Sequence, residues 1–211
     1  MPRYGQIDGE YGARMTASEA AEPIYVLSLM KYLTEAIDDP CGECTIDDFE
    51  ADGRFAPIPV LTAVRANLCF AADVVAGSGG WDRIYVVAYP SRRSFIDMST
   101  RDDFQTWHSH KQAWLDRTTV MAMLAPQTMP TRSSTGMILL ETWDGPSPDA
   151  IADGEFVSFD VEGTVIGDGR EWSGTRFTGI EPGTPLPLQE PRFEYEAMLL
   201  KPTIERWRWP S

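Results

Sequence analysis

Apolar positions in the first 126 residues fall into short runs of strand length, separated by stretches with helical spacing. Pro23–Tyr32 (PIYVLSLMKY) is apolar enough for a buried strand. Pro59–Asn67 (PVLTAVRAN) opens with a proline suited to a first helical turn and puts Val60, Leu61 and Val64 on one face. Leu68–Val75 and Arg83–Tyr89 read as strands joined across the glycine-rich stretch Gly77–Asp82. Ser91 predicts an N-cap for a helix through Met98, and Ser99–Asp102 resembles a capping box opening a second helix toward Leu115. Thr119–Leu124 closes the series as a strand. The order β-α-β-β-α-β is that of a ferredoxin-like α+β domain.

The strand over Arg83–Tyr89 is apolar on both faces. Ile84, Val86 and Ala88 share one side; Tyr85, Val87 and Tyr89 share the other. A free antiparallel sheet normally shows water one polar face. Two helices would cover one side here, and a second sheet, from another chain or from the C-terminal part, would cover the other.

The texture changes near residue 126. Pro126–Gly136 has no periodicity, and 9 of the 16 prolines fall in residues 127–211. The chain is therefore divided into a flexible polar segment at 1–22, a ferredoxin-like domain at 23–126 and a mostly β unit at 134–211. In the last, Met137–Thr142, Phe156–Ile166 and Trp172–Ile180 read as strands. Further on, Phe193, Tyr195, Ala197 and Leu199 alternate with Arg192, Glu194, Glu196 and Met198. This unit is either a degenerate ferredoxin-like repeat or a small independent β-meander.

Charge narrows the function classes. With 18 basic and 32 acidic residues the formal net charge is −14 over 211 residues, which disfavours nucleic acid and anionic membrane surfaces as partners. Residues 1–22 lack the pattern of a secretory signal, and no run is long and apolar enough to span a bilayer. Three cysteines are too few for a disulfide scaffold, so a cytoplasmic protein with reduced thiols is expected. No phosphate-binding or dinucleotide fingerprint occurs, and no cofactor is expected.

The string from Trp81-Asp82 through Tyr89-Pro90-Ser91-Arg92 to Phe95 and Met98, followed by Phe104-Gln105 and His108-Ser109-His110, resembles an uncharacterised family of the dimeric α+β-barrel superfamily. The likeness spans residues 23–126, and Phe156–Ile180 resembles the same family's central hairpin. The resemblance implies two ferredoxin-like sheets packed face to face, usually in a homodimer unless the C-terminal part serves as an internal partner. It also implies a cavity between sheet and helices for a small, often aromatic ligand. Relatives in the superfamily include cofactor-independent monooxygenases, isomerases, cyclases and haem-binding peroxidases. Here the acidic segment from Glu35 to Asp52 and the C-terminal 85 residues depart from that pattern.

His108 and His110, the only two histidines, sit in this segment. On an unbroken helix residues two apart point to opposite sides, so both reach one site only if the helix breaks at Ser109. His108 is the candidate general acid/base, since imidazole titrates near neutrality; a hydrogen-bonded structural role is the alternative. Tyr85, Tyr89, Asp73, Trp107 and His110 are candidates for holding a substrate, against ordinary packing of the aromatics and a solvated end-of-strand Asp73. Trp107 and Trp114 share a helical face, and Trp207 alternates with Trp209. Cys41-Gly42-Glu43-Cys44 has half the spacing of a zinc site but lies in an acidic loop without further ligands at suitable spacing. These readings lead to a small-molecule enzyme performing cofactor-independent proton transfer or oxygenation on an aromatic or carbonyl compound. The alternative is a non-enzymatic small-molecule-binding or protein-interaction module.

Overall fold

A computed structural model describes residues 6–18, 21–34, 58–126, 136–149, 156–180 and 195–207. Its elements are β1 (Gln6–Ile7), α1 (Gly9–Ala17), β2 (Ile24–Tyr32), α2 (Ile58–Ala63), β3 (Asn67–Gly77) and β4 (Arg83–Tyr89). There follow α3 (Arg92–Ser99), α4 (Asp102–Trp114), β5 (Leu115–Leu124), β6 (Met137–Trp143), β7 (Phe156–Gly167), β8 (Gly174–Ile180) and β9 (Tyr195–Glu205).

Eight strands hydrogen-bond in the order β7-β5-β2-β4-β3-β9-β6-β8, and β8 pairs back onto β7, so the sheet closes into an antiparallel barrel. β1 adds a two-residue pairing to Ile166 and Gly167 of β7. Strands from residues 24–124 form one half of the wall and those from 137–205 the other; in each half the first strand lies between the third and the fourth. The two central hairpins are fastened by equivalent hydrogen bonds, one set in each half. Asp82 N–H donates to Met30 O at 2.9 Å and Ser173 N–H to Trp143 O at 2.7 Å. Val74 and Val161 in turn donate to the carbonyls of Asp82 and Ser173.

This architecture corrects the expected fold class. The protein is not a ferredoxin-like α+β domain with a second unit stacked on it in the manner of a dimeric α+β barrel. It is one mostly β barrel with few helices, because the outer strands of the two halves pair laterally, β3 with β9 and β5 with β7, which leaves no open edges. The segment before residue 23, read as flexible, contains β1 and α1. Asp8 caps α1 by accepting from the Tyr11 N–H at 2.8 Å.

The doubly apolar strands now have an explanation. Tyr25, Leu27 and Leu29 of β2 and Ile84, Val86 and Ala88 of β4 point into the barrel. Ile24, Val26 and Tyr89 point outward into a layer shared with Met15 of α1, Val60 and Leu61 of α2 and Met98 of α3. The barrel interior is filled by side chains of both halves. Phe70 meets Phe177 at 5.3 Å and Trp207 at 5.3 Å, and Tyr25 meets Phe159 at 5.2 Å. Burial of each such ring contributes roughly 1.5–3 kcal/mol. On β9 the inward set is Met198 and Leu200, while Ala197 and Leu199 face outward.

Two local expectations met different outcomes. The Ser91 hydroxyl caps α3, accepting from the Ser94 N–H at 3.2 Å. The capping box at Ser99–Asp102 does not form: α4 starts after Arg101, which makes no side-chain cap and instead pairs with Asp103.

Candidate functional site

The sequence-designated residues all lie on the outside of the barrel wall or on α4, but they do not form one site. Tyr89 is buried edge-on against Phe95 at 5.2 Å, and burial raises its hydroxyl pKa. Tyr85 belongs to a separate apolar cluster with Met30, Trp114 and Leu115. Asp73 pairs across β3 and β4 with Arg83, whose guanidinium lies 2.7 Å away, and is partly open to water. It is held as a strand-pairing carboxylate.

On α4, His108 stacks on Phe104 with ring centroids 5.3 Å apart. Burial, reinforced by the nearby Lys111 charge, pushes its pKa down to about 4, so the imidazole is neutral at pH 7. Lys111 lies over the Trp107 ring at 5.5 Å, and burial lowers its pKa to about 8. Trp107 Nε1 is buried without a hydrogen-bond partner. The helix runs unbroken through Ser109, so His108 and His110 diverge. Phe104 links His108 to the layer that contains Tyr89; Tyr85, Asp73 and His110 stand apart.

A recess of about 390 Å³ lies elsewhere, between α1, β7 and the β7–β8 turn. Its size falls at the small end of ligand pockets. Tyr11 and Arg14 of α1 form one wall, Glu162, Gly163 and Thr164 of β7 the floor, and Arg170, Glu171 and Trp172 the far side. The Tyr11 ring lies so close over Gly163 that a β-carbon there would sit 2.6 Å from ring carbon Cδ2. Behind the floor, Arg92 donates from Nε to both Glu162 oxygens at 2.9 and 3.0 Å and pairs through Nη2 at 2.9 Å. Burial, then the Glu162 charge, raises the Tyr11 pKa; the hydroxyl lies beside that carboxylate but outside hydrogen-bonding geometry. Across the recess, Arg170 stacks over Trp172 at 4.7 Å and is held by Asp168 and Glu196.

None of these recess residues was singled out from the sequence as functional. Arg92 belongs to the Tyr89–Arg92 turn string and Trp172 to the second hairpin, and both carried a local signal for structure only. Tyr11 lay in the segment 1–22, read as flexible and polar. Among the described residues no group of three or more His, Cys, Asp or Glu side chains could hold a metal. Cys41, Cys44 and Trp209 lie outside the described residues, and Cys69 is buried in the barrel interior. No described helix is long and apolar enough to cross a membrane.

No family model matches the chain, and no curated protein matches it. Solved structures do. The methylated RPA0582 protein aligns with a TM-score of 0.50 at 21% identity, covering 61% of this chain and 98% of that one. A second structure of RPA0582, a protein of unknown function from Rhodopseudomonas palustris, gives a TM-score of 0.49 at 21% identity over 60% of this chain and 98% of that one. A "putative monooxygenase" from Lactobacillus acidophilus NCFM gives 0.46 at 10% identity, covering 86% of this chain and 94% of that one. At such identities the likeness to RPA0582 is one of fold over part of the chain, not of activity.

Proposed function

We propose that this protein binds a small molecule in the recess between α1, β7 and the β7–β8 turn, and that the barrel interior serves stability alone. The observation that carries this reading is the contrast between the two spaces. The interior is packed with the protein's own aromatic side chains, whereas the recess is of ligand size and is walled by two aromatic residues among several charged groups. Protein amide NMR with a library of small aromatic and carbonyl compounds tests it. Binding compounds are expected to move the amide signals of Gly163, Gly167 and Gly169; hits that leave all three unmoved would sink the assignment.

Catalysis by proton transfer at His108, on an aromatic or carbonyl compound, is the second reading. It rests on an imidazole held against Phe104 beside Lys111, and it ranks second because a pKa lowered to about 4 makes that imidazole a weak base at pH 7. Its test is His108→Gln assayed on a compound the wild type turns over; unchanged kcat would remove His108 from the chemistry.

A further inference from the structure

Three buried polar atoms around α1 lack hydrogen-bond partners. They are the Tyr11 hydroxyl, Arg92 Nη1 and Trp172 Nε1. Their residues are only 2%, 6% and 6% exposed. Tyr11 and Trp172 line the recess, and Arg92 lies directly behind its Glu162 floor. Buried polar groups in folded proteins are almost always paired, and each unpaired one is unfavourable. Three such atoms around one recess mark an arrangement that is complete only when something else supplies acceptors.

The element over these atoms is lightly fastened. β1 pairs with β7 through two residues, Asp8 N–H donates to Val165 O at 3.0 Å, and Tyr11 and Met15 are the buried anchors of α1. The charges present point to the kind of occupant. Arg92 already faces Glu162, and Arg170 already faces Asp168 and Glu196. Asp8 and Glu171 line the same recess, while Arg14 is exposed on α1 with its guanidinium over the Tyr11 ring. The carboxylates of Asp8 and Glu171 outnumber the Arg14 cation in this lining, so a carboxylate entering beneath α1 would meet a net negative surround.

We propose that α1 is a hinged cover over the ligand site, and that the ligand is an uncharged molecule whose carbonyl oxygen accepts from the Tyr11 hydroxyl and Arg92 Nη1 when the helix closes on it. This rests on the recess being the ligand site. Neither donor is reachable while α1 is seated, so entry requires the helix to lift. On reclosing, the ligand oxygen takes the place that no protein group fills. Glu162 does not take that role for Arg92, because it engages the Nε/Nη2 edge of the planar guanidinium and Nη1 lies on the other edge.

The test uses the full-length chain and two probes with the same ring, methyl benzoate and benzoate, followed by amide NMR and hydrogen exchange. Methyl benzoate is expected to shift the Gly163 and Gly167 amides, to slow exchange in α1, and to bind about tenfold more tightly than benzoate. Tyr11→Phe keeps the ring on Gly163 and removes only the hydroxyl; it is expected to weaken the ester about tenfold, the upper end for one hydrogen bond. Equal or tighter binding of benzoate, an unchanged ester affinity in Tyr11→Phe, or unaltered α1 exchange would overturn this inference while leaving the recess as the ligand site. Ester binding that moves no recess amide, or no binding of either probe, would overturn both.

Discussion

Trp81 donates its indole N–H to the Glu196 carboxylate at 2.9 Å, across 115 positions of sequence. The other oxygen of Glu196 accepts from Arg170 Nη1 at 2.6 Å, so one buried carboxylate ties the β3–β4 hairpin, the β7–β8 turn and β9 together. Arginines stack on both tryptophans at this end of the barrel, Arg117 over Trp81 at 4.5 Å and Arg170 over Trp172 at 4.7 Å.

Removing that carboxylate leaves the buried Trp81 indole N–H without its acceptor, while Arg170 keeps Asp168 as its partner. Glu196→Ala is therefore expected to lose about 1–3 kcal/mol of stability in urea denaturation, in a single transition because the barrel closes across both halves. A loss below about 1 kcal/mol would show that the bridge is dispensable.

The outer wall of the C-terminal half holds a second buried pair. Arg176 reaches Glu141 through Nε at 2.8 Å and Nη2 at 3.0 Å, and the Tyr195 hydroxyl donates to the same carboxylate at 2.9 Å. Arg176→Met strands the Glu141 charge and is expected to cost about 3–5 kcal/mol. The double variant Glu141→Leu with Arg176→Met is expected to recover most of that loss. Thermal denaturation of Glu141→Leu, Arg176→Met and the double variant checks both statements, and additive losses in the double variant would contradict the argument.

His108 makes stability depend on pH in a definite direction. Its pKa is near 6.5 in the unfolded chain and about 4 when folded, so between these values the unfolded chain binds the extra proton. The contribution is intact above pH 6.5 and is lost progressively as pH falls toward 4, by up to about 3 kcal/mol. His108→Gln is expected to show a smaller drop in stability between pH 7 and pH 4.5. Parallel pH profiles for variant and wild type would exclude this burial effect.

Gly163 lets the α1 tyrosine lie against β7. Gly163→Ala puts a methyl group 2.6 Å from the Tyr11 ring and forces the ring away. A loss of about 1–3 kcal/mol is expected, with faster hydrogen exchange in α1 and little change in the barrel strands. Unchanged exchange in α1 would mean that the ring is not what seats the helix.

What was legible in the sequence is what local energetics decide. β4 occupies Arg83–Tyr89 as its alternation requires, and Ser91 caps α3 because its hydroxyl and the Ser94 N–H lie within one turn. The apolar character of both faces of β4 also stated correctly that neither face meets water. The failed capping box at Ser99–Asp102 shows the limit of such motifs: Arg101 satisfies Asp103 with a bidentate pair, and α4 starts without a side-chain cap.

Barrel closure and the candidate site were decided at longer range. Whether β3 and β5 end as open edges or pair with β9 and β7 depends on partners many positions away, and the alternation of a strand does not encode its neighbour. On β9 the buried set includes Glu196, whose charge argues for water until Trp81 and Arg170 are brought beside it. The same holds for Tyr11, Arg92 and Glu162, which come from α1, α3 and β7. Thus the sequence by itself determined where the strands and most helices of this protein run, because periodicity and caps act over a few residues. Only the tertiary structure decided that the strands form one closed barrel and that the polar groups around α1 converge, because those arrangements depend on contacts between distant segments.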